Sequence, residues 1–288
     1  MTLNLFEERI RQYAPGDVLE QENVLKELLQ QCILTSLSRA GFFTEAMFHG
    51  GTCLKIFHGL TRFSEDLDFL LVNDDQSFSW EPYLKVVVGD MEEFGIKFQV
   101  IERSKADDTV KKTFIKTDSI GTIIIFDLPF DRDSRKHLRV KLEVDTRPPQ
   151  GSTVETHFLT FPSAASISTQ TLQCGFALKL HALLCRTYDK GRDWYDFVWY
   201  VSRRMRPDMG LMKNAMIQSG PWKGMSDASF DVEWLKKELS HRIDKIDWKI
   251  MRSDVERFLP RREQESLELW KPDFFLYHVE QMRSYLKK

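Results

Sequence analysis

The chain has only four cysteines in 288 residues and no long hydrophobic run. No two of these cysteines form a Cys-x-x-Cys pair, and each lies among apolar residues, so the sequence predicts neither a zinc site nor a disulfide framework. The most apolar stretch, residues 123–126, is far too short to cross a bilayer, and no basic segment followed by an apolar run opens the chain. We therefore expect a soluble, cytoplasmic protein without a membrane segment.

A strong charge of either sign is also lacking, since the net charge is -2 at pH 7. The charge is unevenly distributed: residues 1–165 hold 19 basic against 26 acidic side chains, and residues 166–288 hold 22 against 17. The basic half would suit a phosphate backbone, although ordinary solvated helix faces also produce differences of this size. With 42% hydrophobic residues, the chain can bury a sizeable core as one large domain or two.

Residues 1–165 show both helical and strand patterns, which predicts a mixed sheet with flanking helices. Apolar residues at helical spacing predict helices at 23–40, 52–59 and 80–94. Alternating or β-branched runs predict strands at 45–49, 67–72, 96–102, 109–116, 120–128, 137–145 and 154–159.

Residues 166–288 show helical patterns only, so the predicted fold class is α+β with a helical second domain. The predicted helices are 171–186, 194–204, 211–219, 232–240, 246–258 and 266–285. No element is assigned to the small-residue stretch 162–168. The boundary is placed near residue 165, which gives an α/β domain at 1–165 and a helical domain at 166–288.

Two carboxylates one residue apart, Asp66 and Asp68, belong to an apolar predicted strand. Because successive side chains of a strand point to opposite faces, the two aspartates project together while Leu67, Phe69 and Leu71 take the other side. The two carboxylates repel one another unless a cation lies between them. Mg²⁺ or Mn²⁺ commonly binds through one or two carboxylates plus substrate phosphates. Alone, the pair is a weak signal, since most such pairs are solvated surface charges.

A double glycine precedes the aspartates. Gly50 and Gly51 let the main chain approach a ligand, and Thr52 adds a hydroxyl at the start of a predicted helix, where a triphosphate can rest. Together with Asp66 and Asp68, this segment indicates metal-dependent chemistry on a nucleoside triphosphate.

A third carboxylate is expected near this pair, because the metal ions must also organise the attacking oxygen. The strand predicted at 137–145 offers Glu143 and Asp145, both on its polar face. A surface strand with its charges facing water would show the same pattern. From these residues alone, the choice between the two carboxylates stays open.

Arg62 and Ser64 lie between the glycines and the aspartates, where a loop passes close to a bound phosphate. Arg62 would pair with phosphate oxygens, and Ser64 would donate a hydrogen bond. The alternatives are a surface ion pair for Arg62 and a turn cap for Ser64.

Three charged residues of the second half are further candidates. Lys179 interrupts an apolar helix and is either a point charge for the triphosphate or a lysine that extends to solvent. Asp193 lies near a predicted helix start, where an acidic side chain commonly caps free amides. Asp196 shares a helix face with Asp193, and the two would contact the nucleotide or position Lys179.

These motifs together resemble the AbiEii/AbiGii family of nucleotidyltransferase-like toxins, the toxin half of bacterial type IV toxin–antitoxin and abortive-infection systems. The resemblance runs through 50–52, 62–68, 141–144, Lys179 and 192–196. It implies the fold of the DNA polymerase beta-type nucleotidyltransferases, in which a mixed sheet carries the Asp-x-Asp pair as metal ligands and a helical domain closes the cleft.

The resemblance also implies roles for individual residues. Gly51 and Thr52 would cradle the triphosphate, Lys179 would contact it, and Asp193 would be the late acidic residue needed for activity. Related members carry an acidic residue at the position of Glu143, which is therefore preferred as the third carboxylate.

We therefore expect a nucleotidyltransferase that uses Mg²⁺ or Mn²⁺ to move a nucleoside monophosphate from an NTP to RNA. The tRNA acceptor end is the expected site, since some toxins of the family add nucleotides there, and a cognate antitoxin is an expected partner. Two alternatives keep the nucleotide site: transfer to Ser, Thr or Tyr of a protein, and nucleotide binding without turnover, with the basic half docking a partner.

Overall fold

The chain divides into two compact units in a computed structural model that describes residues 2–94, 96–103, 119–127, 137–226 and 228–287. Unit 1 comprises Met1–Gly59, Phe63–Pro148 and Val154–Thr169, and unit 2 comprises Leu60–Arg62, Pro149–Thr153 and Gln170–Lys288. The strand predicted at 109–116 lies outside the described residues, and the domain boundary near residue 165 stays a prediction. Among the described helices, none is long and apolar enough to cross a membrane.

Unit 1 combines helices with a sheet. Its described helices are α1 (Thr2–Tyr13), α2 (Val18–Arg39), α3 (Gly50–His58) and α4 (Glu81–Glu93). The described strands are β1 (Ala46–His49), β2 (Asp66–Leu71), β3 (Lys97–Arg103), β4 (Ser119–Asp127), β5 (His137–Asp145), β6 (Val154–Leu159) and β7 (Ala165–Gln170).

The described strands form one mixed sheet in the order β3-β4-β5-β2-β1-β7-β6. Strand β2 lies in the middle, where it pairs antiparallel with β1 and parallel with β5. The strand that carries the two aspartates is thus held on both sides by main-chain hydrogen bonds. The predicted mixed sheet with flanking helices is confirmed.

Helix α2 packs against the sheet and provides much of the unit 1 core. Leu28 and Ile33 are fully buried in a cluster shared with β2 and β5, and burial of such a side chain contributes about 1.5–3 kcal/mol. The helix begins earlier than the predicted residue 23, because the side chain of Asp17 accepts a hydrogen bond from the Glu20 N–H and caps its first turn.

Unit 2 is helical around an aromatic core. Its described helices are α5 (Leu172–Cys185), α6 (Gly191–Ser202), α7 (Met209–Gln218), α8 (Val232–Ile243), α9 (Trp248–Glu256), α10 (Arg261–Gln264) and α11 (Pro272–Leu286). Trp248 stacks on Phe275 with 3.9 Å between ring centroids, and Trp194 meets both rings edge-on. This ring packing joins α6, α9 and α11.

The structure corrects two features of the sequence prediction. The small-residue stretch 162–168 contains the start of β7, which pairs in parallel with β1 through Phe48 and Thr169. The helix predicted at 266–285 is two elements, because Pro272 has no amide hydrogen and begins the new helix α11.

Candidate active site

Asp66 and Asp68 lie on the same face of β2. Both are half-buried, whereas Leu67 and Phe69 between and beyond them belong to the core. The two carboxylates therefore share the face opposite the apolar side of the strand, as the alternation predicts.

Glu143 lies beside this pair on the neighbouring strand. In the parallel pairing of β2 with β5, Asp68 is the partner of Glu143 and Asp66 is the partner of Lys141. Because directly paired residues of adjacent strands point to the same side of a sheet, Glu143 joins the two aspartates on one face. Three carboxylates thus converge on the centre of the sheet.

Asp145, the other candidate for the third carboxylate, lies one pleat further along β5. It pairs with Leu70, roughly 7 Å along the strand from Glu143, and its Oδ1 accepts a hydrogen bond from the Arg147 N–H. The strand register thus favours Glu143, whose role as a metal ligand stays a prediction.

Lys141 also lies on this face, although the sequence prediction gives it no role. Its Nζ forms an ion pair with Oε2 of Glu143. Burial acts to lower the pKa of Lys141, but the hydrogen bond and charge of Glu143, followed by the charges of Asp66 and Asp68, raise it. The strict alternation of β5 carried the signal for this residue, because Lys141 and Glu143 are two residues apart.

We expect Lys141→Met to increase the response of the protein to divalent cations. Without the ammonium, the carboxylates repel one another, so the metal-free variant should lose up to about 1 kcal/mol of unfolding free energy, a small loss because the pair is partly exposed. Added MgCl₂ should then raise the melting temperature more in the variant than in the wild type. The control is Lys85→Met, which removes an exposed ion pair with Glu81. Equal responses of Lys141→Met and the wild type would contradict this role for Lys141.

The first residue of α3 lies directly against Asp68. Gly50 has a φ of +81°, and a Cβ at this position would lie 2.8 Å from Oδ2 of Asp68. Helix α3 begins here rather than at Thr52, so the main-chain amides of Gly50, Gly51 and Thr52 belong to a first turn that lacks intrahelical acceptors. The double glycine thus lets the main chain come close to a carboxylate, that of Asp68.

Thr52 connects α3 to β2. Its side chain is buried, and its hydroxyl donates a hydrogen bond to the main-chain oxygen of Asp66. A phosphate contact through this hydroxyl would require that bond to be exchanged. The predicted triphosphate cradle therefore rests on the main-chain amides of Gly51 and Thr52 rather than on the hydroxyl, and it stays a prediction.

Helix α2 holds the segment that precedes the aspartates. Nε2 of Gln30 donates to the main-chain oxygen of Ser64 at 3.1 Å, and Nζ of Lys26 lies 3.2 Å from Oε1 of Glu65. These contacts fix the main chain at the start of β2. The phosphate contact of the Ser64 hydroxyl stays a prediction.

Four of the predicted residues belong to one chain of charges in unit 2, which is buried except at its last member, Arg186. Arg62 donates through Nε and Nη2 to the two carboxylate oxygens of Asp196, each at 2.7 Å. Nζ of Lys179 lies 2.8 Å from Oδ2 of Asp196 and 2.7 Å from Oδ1 of Asp193. Arg186 pairs with the other oxygen of Asp193. This unit 2 charge chain has three cations and two anions in alternation.

Arg62 and Asp196 of the unit 2 charge chain are buried, and the neighbouring cations keep the buried carboxylates ionised. Arg62 is 2% exposed and Asp196 is fully buried. Burial acts to raise the pKa of Asp196, but the charges of Arg62 and Lys179 outweigh it and lower the pKa. The pKa of Asp193 is lowered in the same way by Lys179 and Arg186. Both carboxylates are therefore ionised at neutral pH.

These contacts decide between the structural alternatives for the residues of unit 2. Arg62 forms a buried ion pair rather than a surface one, and Lys179 does not extend to solvent, because its Nζ contacts two carboxylates and its side chain is only 13% exposed. Asp193 is not a helix cap, because α6 begins two residues earlier at Gly191. Asp193 and Asp196 both contact Nζ of Lys179, as the interpretation that they position this lysine requires. The nucleotide contacts of Arg62, Lys179 and Asp196 and the catalytic role of Asp193 stay predictions.

The chain resembles known proteins both in sequence and in fold. The family model described as the nucleotidyl transferase AbiEii toxin, type IV TA system, matches residues 32–276. A candidate nucleotidyltransferase from H. pylori has a TM-score of 0.52 and 17% identity, with 90% of this chain and 93% of that chain covered. JHP933 from Helicobacter pylori has a TM-score of 0.50 and 17% identity, with 92% and 93% covered. At this identity, the two structures show a likeness of fold. None of the curated proteins matches this sequence.

The family match includes the carboxylates of unit 1 and the charge chain of unit 2. It confirms the resemblance that the sequence motifs indicated and covers most of the chain. A type IV toxin family implies a nucleotide substrate and a cognate antitoxin. The chain belongs to the AbiEii family of type IV toxin–antitoxin systems, and it is a nucleotidyltransferase.

Proposed function

We propose that this nucleotidyltransferase uses Mg²⁺ or Mn²⁺ to transfer a nucleoside monophosphate from an NTP to RNA, at the acceptor end of tRNA. The observation that carries the proposal is the register of β2 and β5, which pairs Asp68 with Glu143 on the face that also holds Asp66. These three carboxylates would hold the metal ions.

The donor set fits a hard divalent cation. Carboxylate oxygens are the ligands that Mg²⁺ and Mn²⁺ prefer, and the charges of Asp66, Asp68 and Glu143 already act together on the ammonium of Lys141. A bound divalent ion would neutralise phosphate charge and help to activate the acceptor hydroxyl.

The protein itself supplies positioning and fixed charge. The amides in the first turn of α3 and the positive end of its helix dipole favour an anion beside the carboxylates. Because Gly50 has no side chain, the main chain at the start of α3 can lie against Asp68. In the transfer, the acceptor hydroxyl gives up its proton to solvent and its oxygen bonds to the α-phosphorus, while the bond between the α-phosphorus and the bridging oxygen breaks and pyrophosphate leaves. Such reactions need little covalent help from the protein, so orientation and charge neutralisation account for most of the catalysis.

The charge of the second half supports RNA as the acceptor. Residues 166–288 hold 22 basic against 17 acidic side chains, and lysine and arginine bind nucleic acids by displacing counterions from phosphates. RNA binding should therefore weaken as the salt concentration rises. We place the enzyme in the cytoplasm, where tRNA and NTPs are found, and a cognate antitoxin is its proposed protein partner.

Incorporation of labelled nucleotide tests this function. The protein is incubated with MgCl₂ and each α-labelled NTP in turn, together with total RNA or lysate protein. We expect label that ribonuclease removes, protease leaves, and EDTA prevents from forming. Sequencing of RNA 3′ ends should then place the addition at the tRNA acceptor end.

Two results would contradict the proposed acceptor or the proposed turnover. Label that protease removes and ribonuclease leaves would identify transfer to a protein hydroxyl instead. NTP binding without pyrophosphate release in the presence of any acceptor would indicate a binding protein without turnover.

A further inference from the structure

Three metal-binding side chains meet at the far end of α3. His58 is the last residue of this helix, and Glu155 and His157 lie on the edge strand β6. One ligand atom from each lies within 4.8 Å of the other two. Oε1 of Glu155 is 3.2 Å from Nε2 of His157 and 3.9 Å from Nε2 of His58. Sequence analysis does not predict this cluster, because His58 is nearly 100 residues away from Glu155 and His157 along the chain.

The ligand atoms of these three residues are buried and have no hydrogen-bond partner in the part of the chain that the structure describes. This holds for Nε2 of His58, Oε1 of Glu155 and Nε2 of His157, and the His58 side chain is only 10% exposed. A buried polar atom without a hydrogen-bond partner destabilises the folded state, and such atoms are rare in folded proteins. One ion bound to all three atoms would satisfy them together.

We infer that His58, Glu155 and His157 form a binding site for a transition metal ion of the Zn²⁺ type. Two imidazole nitrogens and one carboxylate oxygen make a ligand set typical of zinc and related ions, whereas Mg²⁺ prefers oxygen ligands alone. In a tetrahedral zinc site, ligand atoms lie roughly 3.3 Å apart, so the distances of 3.2 and 3.9 Å require only small side-chain movements. Three protein ligands leave the fourth position to water.

The surroundings of the site also favour a cation. The carboxyl end of α3, where His58 lies, is the negative end of the helix dipole.

This site is separate from the carboxylates of β2 and β5. Gly50, which touches Asp68, and His58 are the first and last residues of α3, so they are roughly 12 Å apart along the helix axis. A metal ion bound by His58, Glu155 and His157 would fasten the edge strand β6 to the end of α3. The inference does not depend on the nucleotide chemistry proposed above.

Zinc titration of the full-length protein tests the inference. Protein freed of metal with EDTA and then dialysed is titrated with ZnCl₂ in a calorimeter, in the presence of excess MgCl₂ that occupies oxygen-only sites. We expect one Zn²⁺ per chain and a higher melting temperature of the zinc-bound protein. His58→Gln and His157→Gln should each weaken binding more than about 100-fold, since even the loss of an outer-shell partner costs 10–100-fold.

Matched variants separate this site from other histidines and from the carboxylates. His241→Gln, at an exposed position of α8, and Asp68→Asn should both retain zinc binding. Co²⁺ should give visible ligand-field absorption in the wild type, a readout that does not depend on whether a variant folds. Absence of this absorption and of zinc binding in the wild type would overturn the inference, as would undiminished zinc binding in His58→Gln and His157→Gln.

Discussion

Asp66→Asn and Asp68→Asn are each expected to lower the rate of nucleotide transfer by about 10³-fold or more, which corresponds to about 4 kcal/mol of transition-state stabilisation. Each change replaces a charged ligand oxygen by a neutral amide of nearly the same volume. Both side chains lie on the half-buried polar face of β2, so the apolar packing of Leu67 and Phe69 is unaffected. Single-turnover incorporation of labelled nucleotide and release of pyrophosphate, both at saturating MgCl₂, measure the loss.

Two variants of β5 complete this test. Glu143→Gln should show a loss similar to those of the aspartate variants, because Glu143 pairs with Asp68. Asp145→Asn should keep nearly full activity, because Asp145 pairs with Leu70 rather than with Asp68, and an amide oxygen can also accept the hydrogen bond from the Arg147 N–H. Full activity in Asp66→Asn or Asp68→Asn, with an unchanged melting temperature, would exclude these carboxylates from the metal site.

Much of the fold could be predicted because strand and helix patterns are local. Strand β5 has the predicted bounds, since apolar and charged residues alternate along its whole length. Strand β7 escaped prediction because the serines between Ala165, Ile167 and Thr169 give too weak an apolar contrast, and its pairing with the neighbouring strands β1 and β6 is what stabilises it.

The contacts that define the candidate site are long-range, and here the sequence was insufficient. Alternation placed Asp66 and Asp68 on one face but left Glu143 and Asp145 equivalent. The family resemblance favours Glu143, and the register of β2 with β5 supports that choice by pairing Glu143 with Asp68. Arg62 and Asp196 are separated by 134 residues, so their buried ion pair has no local signature. A sequence can show that charged residues lie on helices and loops, but it does not show which of them the fold buries against each other.

That buried ion pair carries the largest expected effect on stability. Asp196→Ala should cost about 3–5 kcal/mol of unfolding free energy, because it removes the two hydrogen bonds that Asp196 accepts from the buried guanidinium of Arg62 and one of the two carboxylates beside Lys179. The melting temperature should fall by on the order of 10 °C. Six of the seven tryptophans lie in unit 2, and only Trp80 lies in unit 1, so tryptophan fluorescence follows this unfolding.

The pH dependence of unfolding distinguishes the loss of this ion pair from a simple packing defect. The pKa values of Asp193 and Asp196 are lowered in the folded protein, whereas an unfolded aspartate has a pKa of about 3.9. Their stabilisation is therefore fully present above about pH 4 to 5 and is lost as the pH falls toward the folded values. Asp196→Ala lacks part of this contribution, so its unfolding free energy should fall less steeply on acidification than that of the wild type.

Glu280→Ala, which removes an exposed ion-pair partner of Arg283 and Lys236, is the control and should leave both the melting temperature and the acid slope nearly unchanged. A wild-type melting temperature and acid slope in Asp196→Ala would show that the charge chain does not stabilise unit 2.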